Sequence, residues 1–240
     1  MKIEIDTHTH TVLSGHAHST ILENAHFASQ AGLKGFVITE HGPRMPYGPF
    51  EYNIITYDSI PGMIEGVRIY RGIEADILDF TGETDVSEMY LKRLDFVLAS
   101  LHDVVIKPGT MEENTNAVLG ALQNPYIDCI GHPGNPYYPL NYTEILREAK
   151  RCGKILEINN QSFVYRKGSR ANCLHILELC KKNDVRIAVS SDAHICFSVG
   201  EFAVALSAVK NAGVPEELIM NRTMGSFEEY LKERKERLKV

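Results

Sequence analysis

The sequence has no tryptophan, only five cysteines in 240 residues, no surplus of positive charge and no apolar run of membrane-spanning length. Each absence excludes something. The cysteines, at 129, 152, 173, 180 and 196, are odd in number and never spaced C-x-x-C. That argues against a disulfide scaffold and leads us to expect reduced thiols in a cytoplasmic protein. A formal net charge of -6 offers no basic field for a nucleic-acid backbone, so neither a nucleic-acid partner nor a membrane is expected. Met1-Lys-Ile-Glu-Ile-Asp6 passes straight into a strand pattern, so no signal or transit peptide is expected. A hydrophobic fraction of 44% with 23% charged residues suits one α/β domain over residues 1–240.

What the chain does have is histidine, ten of them, and their positions are informative. Ile3 and Ile5 alternate with polar residues, so residues 2–8 read as a short strand. In a strand, residues two apart share a face, and His8 and His10 therefore converge where it ends. Two imidazoles at one point are poor core material and good ligands for a divalent metal.

Five later apolar runs end in the same way: 35–41 on His41, 67–76 on Glu74 and Asp76, 94–102 on His102, 128–132 on His132, and 185–194 on Asp192 and His194. A further run, 154–160, ends in Asn159-Asn160. Between them lie helical patterns at 20–31 (a Thr20-x-x-Glu23 capping box, then Gly32), around 58–66, 112–123, Asn141 to about 152, 174–179, 199–212 and 227–238. Residues 42–57, rich in Pro, Gly and Tyr, form a long loop. Seven strands alternating with helices imply a parallel sheet. An open sheet gathers its site at one switch point, whereas here nearly every strand ends in functional side chains. A closed barrel brings all those ends to one mouth, which points to a distorted (β/α)7 TIM-like barrel.

The set is then His8, His10, His16, His41, Glu74, His102, His132, Asp192 and His194. A divalent ion uses about four to six ligands, so nine imply two or three ions, with Glu74 and Asp192 as candidate bridges. Taken singly, His132 before Pro133 reads as a turn residue and Asp192 as a helix cap. His26 and His175 fall inside helices and read as ordinary surface histidines.

These residues carry a resemblance. His8-x-His10, His16 ahead of Ser19-Thr20, Thr39-Glu-His41-Gly, Gly72-Ile-Glu74, Ser100-x-His102, Gly131-His132-Pro133 and Ser191-Asp192-Ala-His194 resemble the PHP (polymerase and histidinol phosphatase) family over essentially the whole chain. Asn114-Thr115, His132-Pro-Gly-Asn-Pro136, Glu157-Ile-Asn-Asn160 and Gly200-Glu201-Phe202 are similar to its YcdX-like phosphatase branch. The resemblance implies a PHP-type barrel with three divalent ions, zinc first, manganese or iron as alternatives, held by the nine residues above. It places the ligand at His16 and leaves His18 to hold a substrate oxygen. Glu40, where many relatives have Asp, is expected to orient His41.

Three divalent cations against two carboxylates leave a site of about +4, which attracts an anion. Metal-bound water has a pKa near 7, and the expected reaction is hydrolysis of a small phosphate monoester by a metal-bridging hydroxide, with Asp192 and Glu74 as the catalytic carboxylates. Arg166 and Lys167, after the sixth strand, are candidates to grip the phosphate, and Arg44 a weaker one. The alternatives are a metal-dependent amide or ester hydrolase and a 3′–5′ exonuclease-type phosphodiesterase. Tyr47, Tyr52, Tyr57, Tyr137 and Tyr138 are expected in mouth-side loops, shaping the pocket or packing against another subunit of a homo-oligomer.

Overall fold

A computed structural model describes residues 1–239. Its strands are β1 (Ile5–Thr9), β2 (Gly35–Ile38), β3 (Met63–Ile64), β4 (Val67–Asp76), β5 (Phe96–Ser100), β6 (Cys129–Ile130), β7 (Ile155–Asn159) and β8 (Ile187–Ser190). All but β3 are parallel and bond in the order β1-β2-β4-β5-β6-β7-β8, each strand next to its successor. The helices are α1 (Ile21–Gln30), α2 (Asn53–Thr56), α3 (Glu88–Leu91), α4 (Met111–Gln123), α5 (Tyr142–Cys152), α6 (Asn160–Val164), α7 (Ser169–Asn183), α8 (Ala203–Ala212) and α9 (Met224–Arg237). This is the distorted (β/α)7 TIM-like barrel that the strand pattern implied.

The seam between β1 and β8 closes with few backbone bonds. The His10 N–H donates to Ala193 O at 2.9 Å, and the Asn221 side chain is inserted below. Its amide donates to Ile5 O (2.8 Å) and Val189 O (2.6 Å) and accepts from the Val189 N–H (3.0 Å). Above it, buried Asp6 accepts the N–H groups of Ser191 and Gly200, with burial pushing its carboxyl up to about 6.

Alternation along the strands builds the interior in layers. Ile5, Val37, Tyr70, Phe96, Leu98, Cys129, Ile155 and Ala188 fill the lower barrel. The same parity carried upward gives Glu74 and Asp76, Ser100, Glu157 and Asn159, and Ser190. In β1 that parity would turn Thr7 and Thr9 inward. A register shift between Asp6 and Thr9 puts one extra residue in β1 against β2, which aims His8 and His10 inward instead.

Phe227, Tyr230 and Leu231 of α9 join the lower layer and plug the barrel from beneath. The pattern at 58–66 is not a helix. Ile60 precedes Pro61 and is extended, and Glu65 (φ 50°) and Gly66 (φ 78°) form a two-residue hairpin turn that folds β3 back on β4. Tyr57 and Tyr138 belong to the core at 4% and 2% exposure, whereas Tyr47, Tyr52 and Tyr137 are exposed as expected of mouth loops. All five cysteines are free. Among the described residues no helix is long and apolar enough to cross a membrane.

Candidate metal centre

Glu74 stands at the middle of the upper layer, fully buried at the end of β4. Five imidazoles surround its carboxylate. His132 Nε2 and His102 Nε2 lie 2.9 and 3.4 Å from Oε1, while His41 Nδ1, His8 Nε2 and His10 Nε2 lie 2.9, 3.3 and 3.6 Å from Oε2. Burial alone would push Glu74 up, but His8, His102 and His41 hold it well below the usual carboxylate range. His41 sits beyond β2, held beside Glu74 by an isolated bridge.

The back side of each ring decides which nitrogen faces inward. His8 Nδ1 meets Glu157 Oε1 at 2.6 Å and His102 Nδ1 meets Asp76 Oδ1 at 2.5 Å. A carboxylate only accepts, so Nδ1 carries the proton and Nε2 points its lone pair into the centre. The Ser14 hydroxyl donates to Glu40 Oε2 (2.5 Å), which leaves its oxygen to accept from His10 Nδ1 (3.1 Å) and the His41 N–H (3.2 Å). Glu40 therefore acts on His41 through Ser14 and the backbone N–H, while the ring's Nδ1 faces Glu74.

These tautomers set the lone pairs of His8 Nε2 and His10 Nε2 against each other at 3.0 Å. That contact is repulsive unless a proton or a metal cation lies between them. Asp192 Oδ1 completes the group, 3.5 Å from His8 Nε2 and 3.4 Å from His10 Nε2. A tetrahedral ion with bonds of about 2.0–2.1 Å sets its donors about 3.3–3.4 Å apart, and the observed spacings of 3.0–3.6 Å scatter around that value. His41 Nδ1 and Glu74 Oε2 are buried without any hydrogen-bond partner, although only 2.9 Å apart. Donors of this kind at this spacing fit a divalent metal ion.

Further out, His194 Nδ1 meets Asp192 O at 3.1 Å and turns Nε2 toward His16 Nε2, also at 3.1 Å. The His16 and His41 rings stack at 4.9 Å. The structure thus brings together all nine residues singled out in the sequence, from fully buried His8 and His10 to exposed His16 at the rim. His26, paired with Glu65, and His175 lie elsewhere on exposed helix faces.

Of the substrate candidates, Arg166 reaches the centre. Its guanidinium donates to Asp192 Oδ2 at 3.0 Å and to Ser162 Oγ at 3.2 Å. Exposed Lys167 makes no hydrogen bond or ion pair among the described residues. His18 is exposed, with its N–H on His194 O at 2.7 Å. Arg44 points its backbone N–H at Asp85.

His132 (φ 28°) and Asp192 (φ 54°) adopt left-handed backbone conformations that cost about 1–3 kcal/mol each and recur where a structure positions functional groups. Glu157 accepts the His132 N–H (2.5 Å), and Asn159 and Arg166 fasten Asp192, so neighbours hold both conformations.

A PHP domain model matches residues 6–163. The chain belongs to the PHP domain family. Relatives span its whole length: a protein of Acetivibrio thermocellus named a probable phosphatase is 49% identical over 239 residues, covering 100% of this chain and 99% of the relative. A second from a Thermoanaerobacter species, named likewise, is 49% identical over 240 residues, covering 99% of this chain and 98% of the relative. Among solved structures, a histidinol phosphate phosphatase from Lactococcus lactis, complexed with zinc, L-histidinol and phosphate, superposes with a TM-score of 0.62 at 17% identity. That match covers 90% of this chain and 95% of the other and shows a common fold.

Two carboxylates behind the centre had no assigned role in the sequence reading. Asp76 was visible only as the last acidic residue of its strand, and Glu157 only as the first residue of the Glu157-Ile-Asn-Asn160 motif. Glu157 also accepts from Ser190 Oγ and Asn159, so it ties β7, β8, His8 and His132 together. Glu157→Gln keeps the shape but removes the charge that fixes the His8 tautomer. Metal affinity is expected to fall about 10–100-fold, measured by competition with a chromogenic chelator. Unchanged affinity would show that His8 needs no such partner.

Proposed function

We propose that the chain is a metal-dependent phosphatase that hydrolyses small phosphate monoesters at a three-ion centre in the barrel mouth. The observation that carries the reading is the inward convergence of imidazole lone pairs on Glu74 and Asp192 at ligand spacing. Membership of the PHP family and relatives near 49% identity named probable phosphatases support it.

We assign His8, His10, Glu74 Oε2 and Asp192 Oδ1 to one ion, His102, His132 and Glu74 Oε1 to a second, and His16, His41 and His194 to a third. Bound divalent ions polarise phosphoryl oxygens and bring the pKa of water to about 7. The chain's own groups do the rest. Arg166 presents its guanidinium beside Asp192, where it binds a phosphoryl oxygen and orients the ester. Asp192 is held well below the ordinary carboxylate range despite burial, chiefly by His8, His10 and Arg166, and stays ionised. It acts by charge and position more than as a strong base. Glu74, ionised for the same kind of reason, joins the first two groups of ligands. His18 and Lys167, both exposed, are the remaining candidates to contact the substrate.

The test is turnover of p-nitrophenyl phosphate after separate reconstitution with zinc, manganese and magnesium, beside elemental analysis. About three ions per chain are expected. Arg166→Ala is expected to lower kcat/KM by about 10- to 100-fold, the size of one charge-assisted contact. Hydrolysis of p-nitrophenyl acetate in place of the phosphate would move the activity to carboxylic esters, and protein that takes up no metal would overturn the reading.

A further inference from the structure

Beside Asp192 and His194 the mouth opens into a cleft of about 370 Å³, walled by Gln161, Tyr165, Arg166, Ile195 and Ser198. That volume suits a small organic group. The cleft borders both the metal centre, through Asp192 and His194, and Arg166, which meets Asp192 at 3.0 Å. An ester phosphate held by Arg166 would therefore direct its alcohol portion into it.

Two wall residues have chemistry that nothing else in the fold uses. Gln161 Oε1 is buried yet has no hydrogen-bond partner. An unmet buried acceptor is unfavourable, and a donor supplied by a ligand would relieve it. Tyr165 is 78% exposed, leaving its ring open to a flat apolar surface, with half-buried Ile195 also in the wall. Both are fixed locally: the Gln161 carbonyl accepts the N–H groups of Tyr165 (2.8 Å) and Arg166 (3.3 Å), so one turn of chain sets amide, ring and guanidinium together.

We propose that Gln161 and Tyr165 form the leaving-group subsite, selecting phosphate monoesters whose alcohol portion combines a planar apolar frame with a hydrogen-bond donor. The proposal rests on the phosphatase reading above.

The experiment compares 4-aminophenyl phosphate, phenyl phosphate and glycerol phosphate on the metal-loaded enzyme. Wild type is expected to favour the amino ester over phenyl phosphate in kcat/KM by about tenfold, the size of one recovered hydrogen bond. In Gln161→Met that ratio is expected to approach one. Tyr165→Ala, a change at an exposed side chain, is expected to lower both aryl esters relative to glycerol phosphate. A structural defect would scale all three substrates together and leave the ratios intact. Wild type that hydrolyses phenyl phosphate without preference, or Gln161→Met that keeps the preference, overturns the subsite and leaves the phosphatase standing. If no ester is hydrolysed, the phosphatase reading fails, and calorimetry with the non-hydrolysable 4-aminobenzylphosphonate decides the subsite separately. Binding several-fold weaker in Gln161→Met supports it, and equal binding overturns it.

Discussion

Glu74→Gln is expected to empty the centre of metal and to lower turnover of phosphate monoesters by about three orders of magnitude, or about 4 kcal/mol of transition-state stabilisation. The side chain keeps its length and volume, so the effect isolates the charge. Both carboxylate oxygens face imidazoles, two on Oε1 and three on Oε2, and a neutral amide offers a single oxygen to them. The amide nitrogen would then present N–H donors to lone pairs aimed at a cation. The loss is expected to exceed that of Glu157→Gln, since Glu157 acts on the ions only through His8 and His132. Elemental analysis and steady-state kinetics check it together. Wild-type metal content and turnover in Glu74→Gln would remove Glu74 from the centre.

The largest stability effect is expected at the other end of the barrel. Asp128, fully buried, accepts from Arg234 Nε (2.7 Å), Arg237 (3.0 Å), the Tyr230 hydroxyl (2.9 Å) and the Val97 N–H (2.9 Å). It joins β5 and β6 to the plugging helix α9. Asp128→Ala leaves Arg234, only 4% exposed, as an uncompensated buried charge. Breaking such a pair costs about 3–5 kcal/mol, and for a domain of this size that lowers Tm by roughly 6–20 °C. Arg237→Ala, removing the more exposed partner, is expected to cost much less. Calorimetry on the metal-loaded protein measures both. Turnover per folded molecule should stay near wild type for Asp128→Ala, because its contacts are with α9 and β5, away from the ligands. A Tm within 2 °C of wild type would show that α9 is held by apolar packing alone.

Much of the candidate centre was legible because barrel geometry turns a one-dimensional regularity into a shared location. His41, Glu74, His102, His132 and Asp192 each end an apolar run, and parallel strands deliver those ends to one face. The helices at 21–30 and 142–152 were legible from their caps, Thr20 and Asn141, whereas the Thr110 capping box of the helix at 111–123 is supplied by the structure. The helix expected around 58–66 does not form because Pro61 keeps Ile60 extended and Glu65-Gly66 turns the chain back. The short helices α2, α3 and α6 are too brief for a periodic pattern to emerge.

By itself the sequence determined which side chains are candidate ligands, the order of strands that carries them, and membership of a family whose motifs they match. These are local properties: spacing two along a strand, residue type, distance from a turn. The tertiary structure decided everything that depends on partners far apart in the chain. It showed that a bulge in β1 aims His8 and His10 inward, that Glu157 sets the tautomer of His8 from 149 residues away, and that Glu40 works through Ser14. It also placed Arg166, and not its neighbour Lys167, against Asp192. A lone pair has a direction only once the ring's other nitrogen has found its partner, and folding alone supplies that partner.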